Sequence, residues 1–495
     1  MGNAFDKLRP FLAKERRLNH IISLLNYDVQ CLSPSKAIAS EADIINSFAA
    51  DSAAIKKDPT FISAVKEAMA DPSLNERQRV VVEGLYKDVI FFEKVSLEEY
   101  SYWSEALSSS NEAWRKAKEH DDFASYLPYW KKAIEAARKM AELRKTNKAM
   151  TLYDSCLNHF EEGLSAEMIE KTFAPLKEFL ISHLPAVMEE QSRRSHPKIP
   201  FIPAWKQRAF NYDLLNLIGF DFSRGAISES MHPFTDFFAP NDVRVTTEIE
   251  EADYRDNIFS VIHEGGHAIE FQNFDQAQFE DFSEMHCSNT ICETHSRFYE
   301  NIIGRSRFFA IPLRKLCQKH FGSHFYFLGL DDFTSSLNEV KPSLNRCGAD
   351  EYTYCLHVII RFEIEREILN GNLSAEEAPA LWNKKYKEYL GIDVPNDREG
   401  ILQDVHWSDA SFGYFPSYAL GNLYGAMIYE RMAKELPLEE LFSSGNLIPI
   451  REWFAENDFR YNYLPSTKWI QKVLGKDLDV NPFLNYLAGK YLPQN

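Results

Sequence analysis

Apolar side chains in this chain recur at steps of three and four residues, the repeat of α-helices that bury one face. Val81, Leu85, Val89 and Phe92 form one stripe. Trp103, Leu107 and Trp114 form a second, interrupted by polar Ser110, and Trp130, Ile134, Ala137 and Met140 form a third. Breakers fall between the stripes at Asp71-Pro72, from Ser195 to Pro203, at Asn370-Gly371 and at Pro395-Asn396. Alternating patterns are few. The best short strand runs from Asn241 to Thr247, where Val243 and Val245 flank Arg244. No internal repeat, low-complexity tract or clean linker interrupts the pattern. The expected fold is therefore mainly α, with a small β element.

At 495 residues the chain can bury a large core, and its 14% aromatic content predicts a bulky interior with aromatic-lined clefts. Acidic residues outnumber basic ones by 73 to 55, a net charge of −18. That balance argues against nucleic acid or an anionic membrane as a main partner. No stretch approaches the ~20 apolar residues of a membrane span. The opening MGNAFDKLRP lacks the apolar core of a signal peptide, and Asp6 stands where a myristoylation motif needs Ser or Thr. Seven cysteines, at 31, 156, 287, 292, 317, 347 and 355, include no close pair of metal-ligand type. They read as free thiols in a reducing cytoplasm.

Residues Ile258 to Phe271 read IFSVIHEGGHAIEF. On a helix, His263 and His267 project from one face, one turn apart, and can fill two positions of a tetrahedral zinc ion. Glu264, beside the first histidine, is placed to act as general base on a water at the metal. Gly265 and Gly266 each cost about 1 kcal/mol in a helix interior. Room for a substrate or for a tightly packed neighbour would explain them. A catalytic zinc needs a third protein ligand and one open position. Glu284, His286, Glu293, His295 and Glu300 are the candidates, and spacing alone does not choose among them. Ser288 to Ile303 reads as a helix capped by Ser288 and ending at Gly304, with Glu293 in its second turn. Asp256 reads as a helix cap that complements the dipole.

With these residues in view, the sequence closely resembles the Taq-type thermostable carboxypeptidase family of helical metallocarboxypeptidases. The resemblance rests on HPF at His232 to Phe234, DVRVT at Asp242 to Thr246, HEGGH at His263 to His267 and ETHSRFYENIIGRS from Glu293. IRF at Ile360 to Phe362, GILQDVHW at Gly400 to Trp407 and GYFPSY at Gly413 to Tyr418 follow in order. The first half matches loosely, as in LLNYD at Tyr27 and Asp28. The resemblance implies one metallocarboxypeptidase domain over 1–495, with an N-terminal helical half at about 1–200 and the motifs of a catalytic cleft at about 230–420. It implies Glu293 as the third ligand, 26 residues beyond His267, for one divalent ion that is Zn2+, with Co2+ or Mn2+ as substitutes. The shorter spacing of about 20 residues seen in thermolysin lands on Cys287. Two positions depart from the family: Cys292 stands where His is usual, and His295 where Gln is usual.

A carboxypeptidase must recognise a free C-terminal carboxylate, for which a guanidinium is best suited. The resemblance offers Arg244 and Arg361, each of which could instead form a structural ion pair. His406 and Tyr414, with Tyr418 as runner-up, are candidates for holding the tetrahedral oxyanion, by similarity to helical zinc peptidases that pair His with Tyr-Phe. His232 is a candidate contact to the peptide backbone, and Gln403 and Asp404 are expected to orient neighbours. The expected partners are peptides with a free C-terminus, and the family implies a homodimer. A zinc oligopeptidase that cuts internally, or a metal-binding protein without catalysis, are the rival readings.

Overall fold

The computed structural model describes residues 4–194, 197–282 and 287–493, so Ser195, Glu284 and His286 lie outside the described residues. The chain is mainly α. The early stripes become the helices Glu76–Lys94, Leu97–His120 and Phe123–Arg144. Reciprocal capping boxes, Asn75 with Gln78 and Ser96 with Glu99, start the first two. Val81, Val89, Trp103, Trp130 and Ile134 are buried as the periodicity predicts. Ser110 stays in the core, its hydroxyl 3.5 Å from that of Tyr126.

The elements that position the site are α1 (Arg9–Cys31), α2 (Leu152–Phe160) and α3 (Ala204–Ile218), followed by the three strands. After them come α4 (Tyr254–Gln272), α5 (Asn289–Arg297), α6 (Tyr354–Asn370) and α7 (Pro416–Glu435). The strands β1 (Gly225–Glu229), β2 (Thr235–Ala239) and β3 (Asp242–Thr247) form a sheet of order β1-β3-β2. β3 pairs in parallel with β1 and antiparallel with β2, which leaves β2 at an edge.

Asp253 caps α4 by accepting from the Arg255 amide. Asp256 is therefore not the cap; it sits in the first turn, where a carboxylate still complements the dipole. Ser288 caps α5, accepting from the Ile291 amide at 3.3 Å. The single helix expected through Ile303 instead widens after Arg297 into a π-helical turn, Phe298–Gly304.

Two large apolar clusters make up most of the core. One gathers α3, α4 and the π turn, the other α6 and the early helices around Trp130. α7 serves both, giving Tyr424, Met427 and Ile428 to the first and Ala419, Leu420 and Leu423 to the second. The early helices also brace the later motifs. Trp130 stacks on Trp407 at 5.9 Å, and Trp114 Nε1 donates to the Leu402 carbonyl at 3.0 Å.

Candidate active site

His263 and His267 leave the same face of α4, and α5 crosses that face to bring in Glu293. One ligand atom from each of these three residues lies within 4.8 Å of the others. His263 Nε2 is 3.8 Å from Glu293 Oε2, while its Nδ1 is held 2.9 Å from Glu300 Oε2. A histidine fixed by a carboxylate through one nitrogen presents the other to a metal. Arg297 Nη1 in turn donates to Glu300 at 2.9 Å.

His267 Nδ1 is buried without a hydrogen-bond partner among the described residues. Burial and the neighbouring His263 push its pKa well below the ordinary imidazole value, which keeps the ring in the neutral form that ligates metals. The donor set thus fits a divalent ion. Glu300→Gln is expected to weaken metal retention about 10- to 100-fold, read by competition with a chelator. Unchanged retention would detach Glu300 from the metal site.

Glu264 is buried, and burial raises its pKa and makes it a better proton acceptor. Thr235, on the edge strand β2, places its hydroxyl 2.7 Å from Glu264 Oε2. No periodicity in the sequence marks Thr235; only the docking of β2 on α4 brings it there.

The glycines of HEGGH admit packed neighbours. A Cβ on Gly265 would lie 2.4 Å from Ile218 of α3, and one on Gly266 would lie 2.9 Å from the Ser296 Cα of α5. Gly421 of α7 is packed against Glu293 itself, since a Cβ there would sit 2.8 Å from both the carbonyl carbon and the Cβ of Glu293. Gly421→Ala is expected to cost about 1–3 kcal/mol by overpacking and to lower metal content, read from thermal midpoints and metal analysis.

α5 starts on a buried carboxylate. Glu161, just past α2, accepts from Ser288 Oγ at 2.9 Å and the Thr290 amide at 2.8 Å. It also accepts from Ser417 and Ser466, each at 2.8 Å, which ties α5 to the start of α7. Sequence reasoning missed this residue, since a lone Glu at a helix end carries no distinguishing local signal.

The structure gathers His406, Tyr414 and Tyr418. The His406 ring centroid is 5.3 Å from that of Tyr414, which is 5.3 Å from that of Tyr418. Glu293 is close enough to help raise the pKa of both tyrosines, after burial as the larger cause. Burial lowers His406 to about 4, so it is neutral near pH 7.

Both arginines form ion pairs within the protein, the alternative that the sequence left open. Arg361 of α6 is fully buried, and its donors are all engaged by Asp404, Gln403, Tyr386 and the His357 carbonyl. It has no donor left for a substrate carboxylate and serves as a structural anchor for the Gln403-Asp404 segment. Arg244 pairs through Nε and Nη2 with Asp242, at 2.9 Å each. Strand alternation buries Val243 and Val245 in the cluster with α4 and turns Arg244 to the opposite face, over Tyr27 and Phe238.

Arg346 is another residue that the sequence reading missed. It lies in the loop before α6, with Nε 3.0 Å from Asp404 Oδ1 and Nη1 3.2 Å from the Tyr354 hydroxyl. Its guanidinium stands over the Tyr418 ring at 4.8 Å, and no hydrogen bond to the described residues engages Nη2. The available signal was an arginine in a loop, where binding groups concentrate.

The remaining candidates lie elsewhere. His232 is exposed between β1 and β2. His295 turns away from the metal into a closed pocket, with Nδ1 2.8 Å from Glu270 and Nε2 3.1 Å from Asp458.

Residues 7–491 match the family described as carboxypeptidase Taq (M32) metallopeptidase. The chain is 36% identical to Carboxypeptidase 1 of Bacillus subtilis, with 96% of each chain covered. It is 32% identical to Thermostable carboxypeptidase 1 of Pyrococcus furiosus, covering 98% of this chain and 99% of the relative. A solved structure of Pyrococcus furiosus carboxypeptidase, described as Apo-Mg, superposes with a TM-score of 0.94 at 30% identity, covering 99% of both chains.

Proposed function

The chain belongs to the carboxypeptidase Taq (M32) metallopeptidase family and is a metal-dependent carboxypeptidase, and from that premise we propose which of its residues do the work. The observation that carries the assignment is the convergence of His263, His267 and Glu293 within 4.8 Å, beside Glu264. These three hold one divalent ion. Two imidazoles and a carboxylate suit zinc, with cobalt or manganese as substitutes. Bound there, the ion would polarise the scissile carbonyl and acidify a water.

Thr235 occupies Glu264 Oε2, which leaves Oε1 to take a proton from the attacking water and pass it to the leaving amine. Tyr414 and Tyr418 supply hydroxyl donors, and His406 an imidazole, to the oxyanion side of the site. Arg346 takes the terminal carboxylate through Nη2, the role first sought in Arg361 and Arg244. His232, three residues before Thr235, is assigned to the rim as a contact for the peptide backbone.

Both apolar clusters border this site, so the reading takes residues 1–495 as one metallocarboxypeptidase domain. Seven free thiols suit a reducing cytoplasm. The homodimer is carried from the family resemblance. No helix among the described residues is long and apolar enough to cross a membrane.

A peptide and its C-terminally amidated twin test the assignment. Hydrolysis of the amidated form is expected to fall steeply, and Arg346→Ala should erase most of that difference. Equal rates on both peptides with the native enzyme would favour internal cleavage and remove Arg346 from its role.

A further inference from the structure

The two cysteines nearest the active site, passed over as a metal-type pair in the sequence, are brought by the fold to a common carboxylate. Cys287 Sγ lies 3.4 Å from Glu270 Oε1, and Cys292 Sγ lies 4.0 Å from the same oxygen. One ligand atom from each of the three residues falls within 4.8 Å of the others. Around a tetrahedral zinc ion, with Zn–S of about 2.3 Å and Zn–O of about 2.0–2.2 Å, neighbouring ligand atoms sit about 3.5–3.8 Å apart. The observed distances straddle that range, so small side-chain rotations suffice. Four residues separate the two sulfurs in sequence, the upper end of the usual loop length between paired zinc cysteines.

We propose that Glu270, Cys287 and Cys292 form a second metal site, distinct from the His263–His267–Glu293 centre, that takes a thiophilic d10 cation of the Zn2+ type. The carboxylate is already oriented for this. Glu270 is fully buried, its Oε1 accepts from Asn462 Nδ2 at 2.5 Å, and its Oε2 is 2.8 Å from His295 Nδ1. Such outer contacts fix a ligand before the metal arrives.

Two thiolates and a carboxylate select a soft cation over magnesium or calcium, whereas the imidazole-rich centre next door is less discriminating. The two sites share their scaffold. α4 gives His263 and His267 to one and Glu270, a turn later, to the other; α5 gives Glu293 to one and the preceding Cys292 to the other. An ion at the second site would pin the segment entering α5 to α4 and so hold the helix that carries Glu293. Loading breaks two S–H bonds, releases two protons to water and forms two metal–sulfur bonds, with no change of oxidation state.

The test uses the full-length protein, stripped and reloaded with Co2+. Two metal equivalents per chain are expected, with a near-ultraviolet thiolate-to-cobalt charge-transfer band that a His–His–Glu centre cannot give. Cys287→Ser should remove one equivalent and the band, while His267→Ala should keep the band. One equivalent and no band in the native protein would overturn the proposal. So would a band that survives Cys287→Ser. A count of five free thiols in denaturant, seven minus the two of a Cys287–Cys292 disulfide, would overturn it too.

Discussion

Glu264→Gln is expected to lower the rate of C-terminal residue release about 10²- to 10⁴-fold while leaving metal content unchanged. The substitution preserves volume, and the Thr235 hydroxyl can still bond at the Oε2 position, so the α4–β2 contact survives. What is lost is the buried carboxylate beside the paired histidines whose Oε1 accepts from none of the described residues. The measurement is release of free amino acids from a model peptide, with metal analysis of the same preparation. Equal rates in mutant and native enzyme would sink the general-base role.

His295→Ala is expected to destabilise the protein by about 3–5 kcal/mol, because it strands two buried carboxylates without their shared cation. His295 is fully buried between Glu270 and Asp458, and those charges raise its pKa to about 10 against the cost of burial. His295→Gln, which installs the residue usual in the family, should cost less, since an amide can still donate to one carboxylate. Chemical denaturation of the two variants reads the difference as shifts in midpoint. Identical midpoints for Ala and the native protein would mean that the triad carries no net stabilisation.

Much of the helical architecture was legible because burial repeats with the helix itself. Val81, Trp103 and Trp130 face inward because their neighbours three or four residues away do. The paired histidines were legible for the same reason, since their relation is one turn of one helix. Glu293 was not, because the crossing of α5 over α4 is a tertiary event; only the family resemblance singled it out from His295 and Glu300.

The arginines show the limit most plainly. Arg361 sits in a recognisable motif but engages every donor inside the protein, whereas Arg346 sits in an unremarkable loop with one nitrogen engaged by none of the described residues. A guanidinium's availability depends on the other groups that converge on it, and these come from segments far apart in sequence. Cys287 and Cys292 teach the same lesson, since the carboxylate they share belongs to a different helix.

Glu161 has a consequence for how activity arises during synthesis. Its four donors lie 127, 129, 256 and 305 residues further along the chain. Contacts of such separation form late, because the loop they close must be ordered first. The bonds from Ser288 and Thr290 need only the first 290 residues, but those from Ser417 and Ser466 close only after the C-terminal helices have docked. The tie between α5, which carries Glu293, and the start of α7 is therefore complete only when the chain as far as Ser466 has been made and packed.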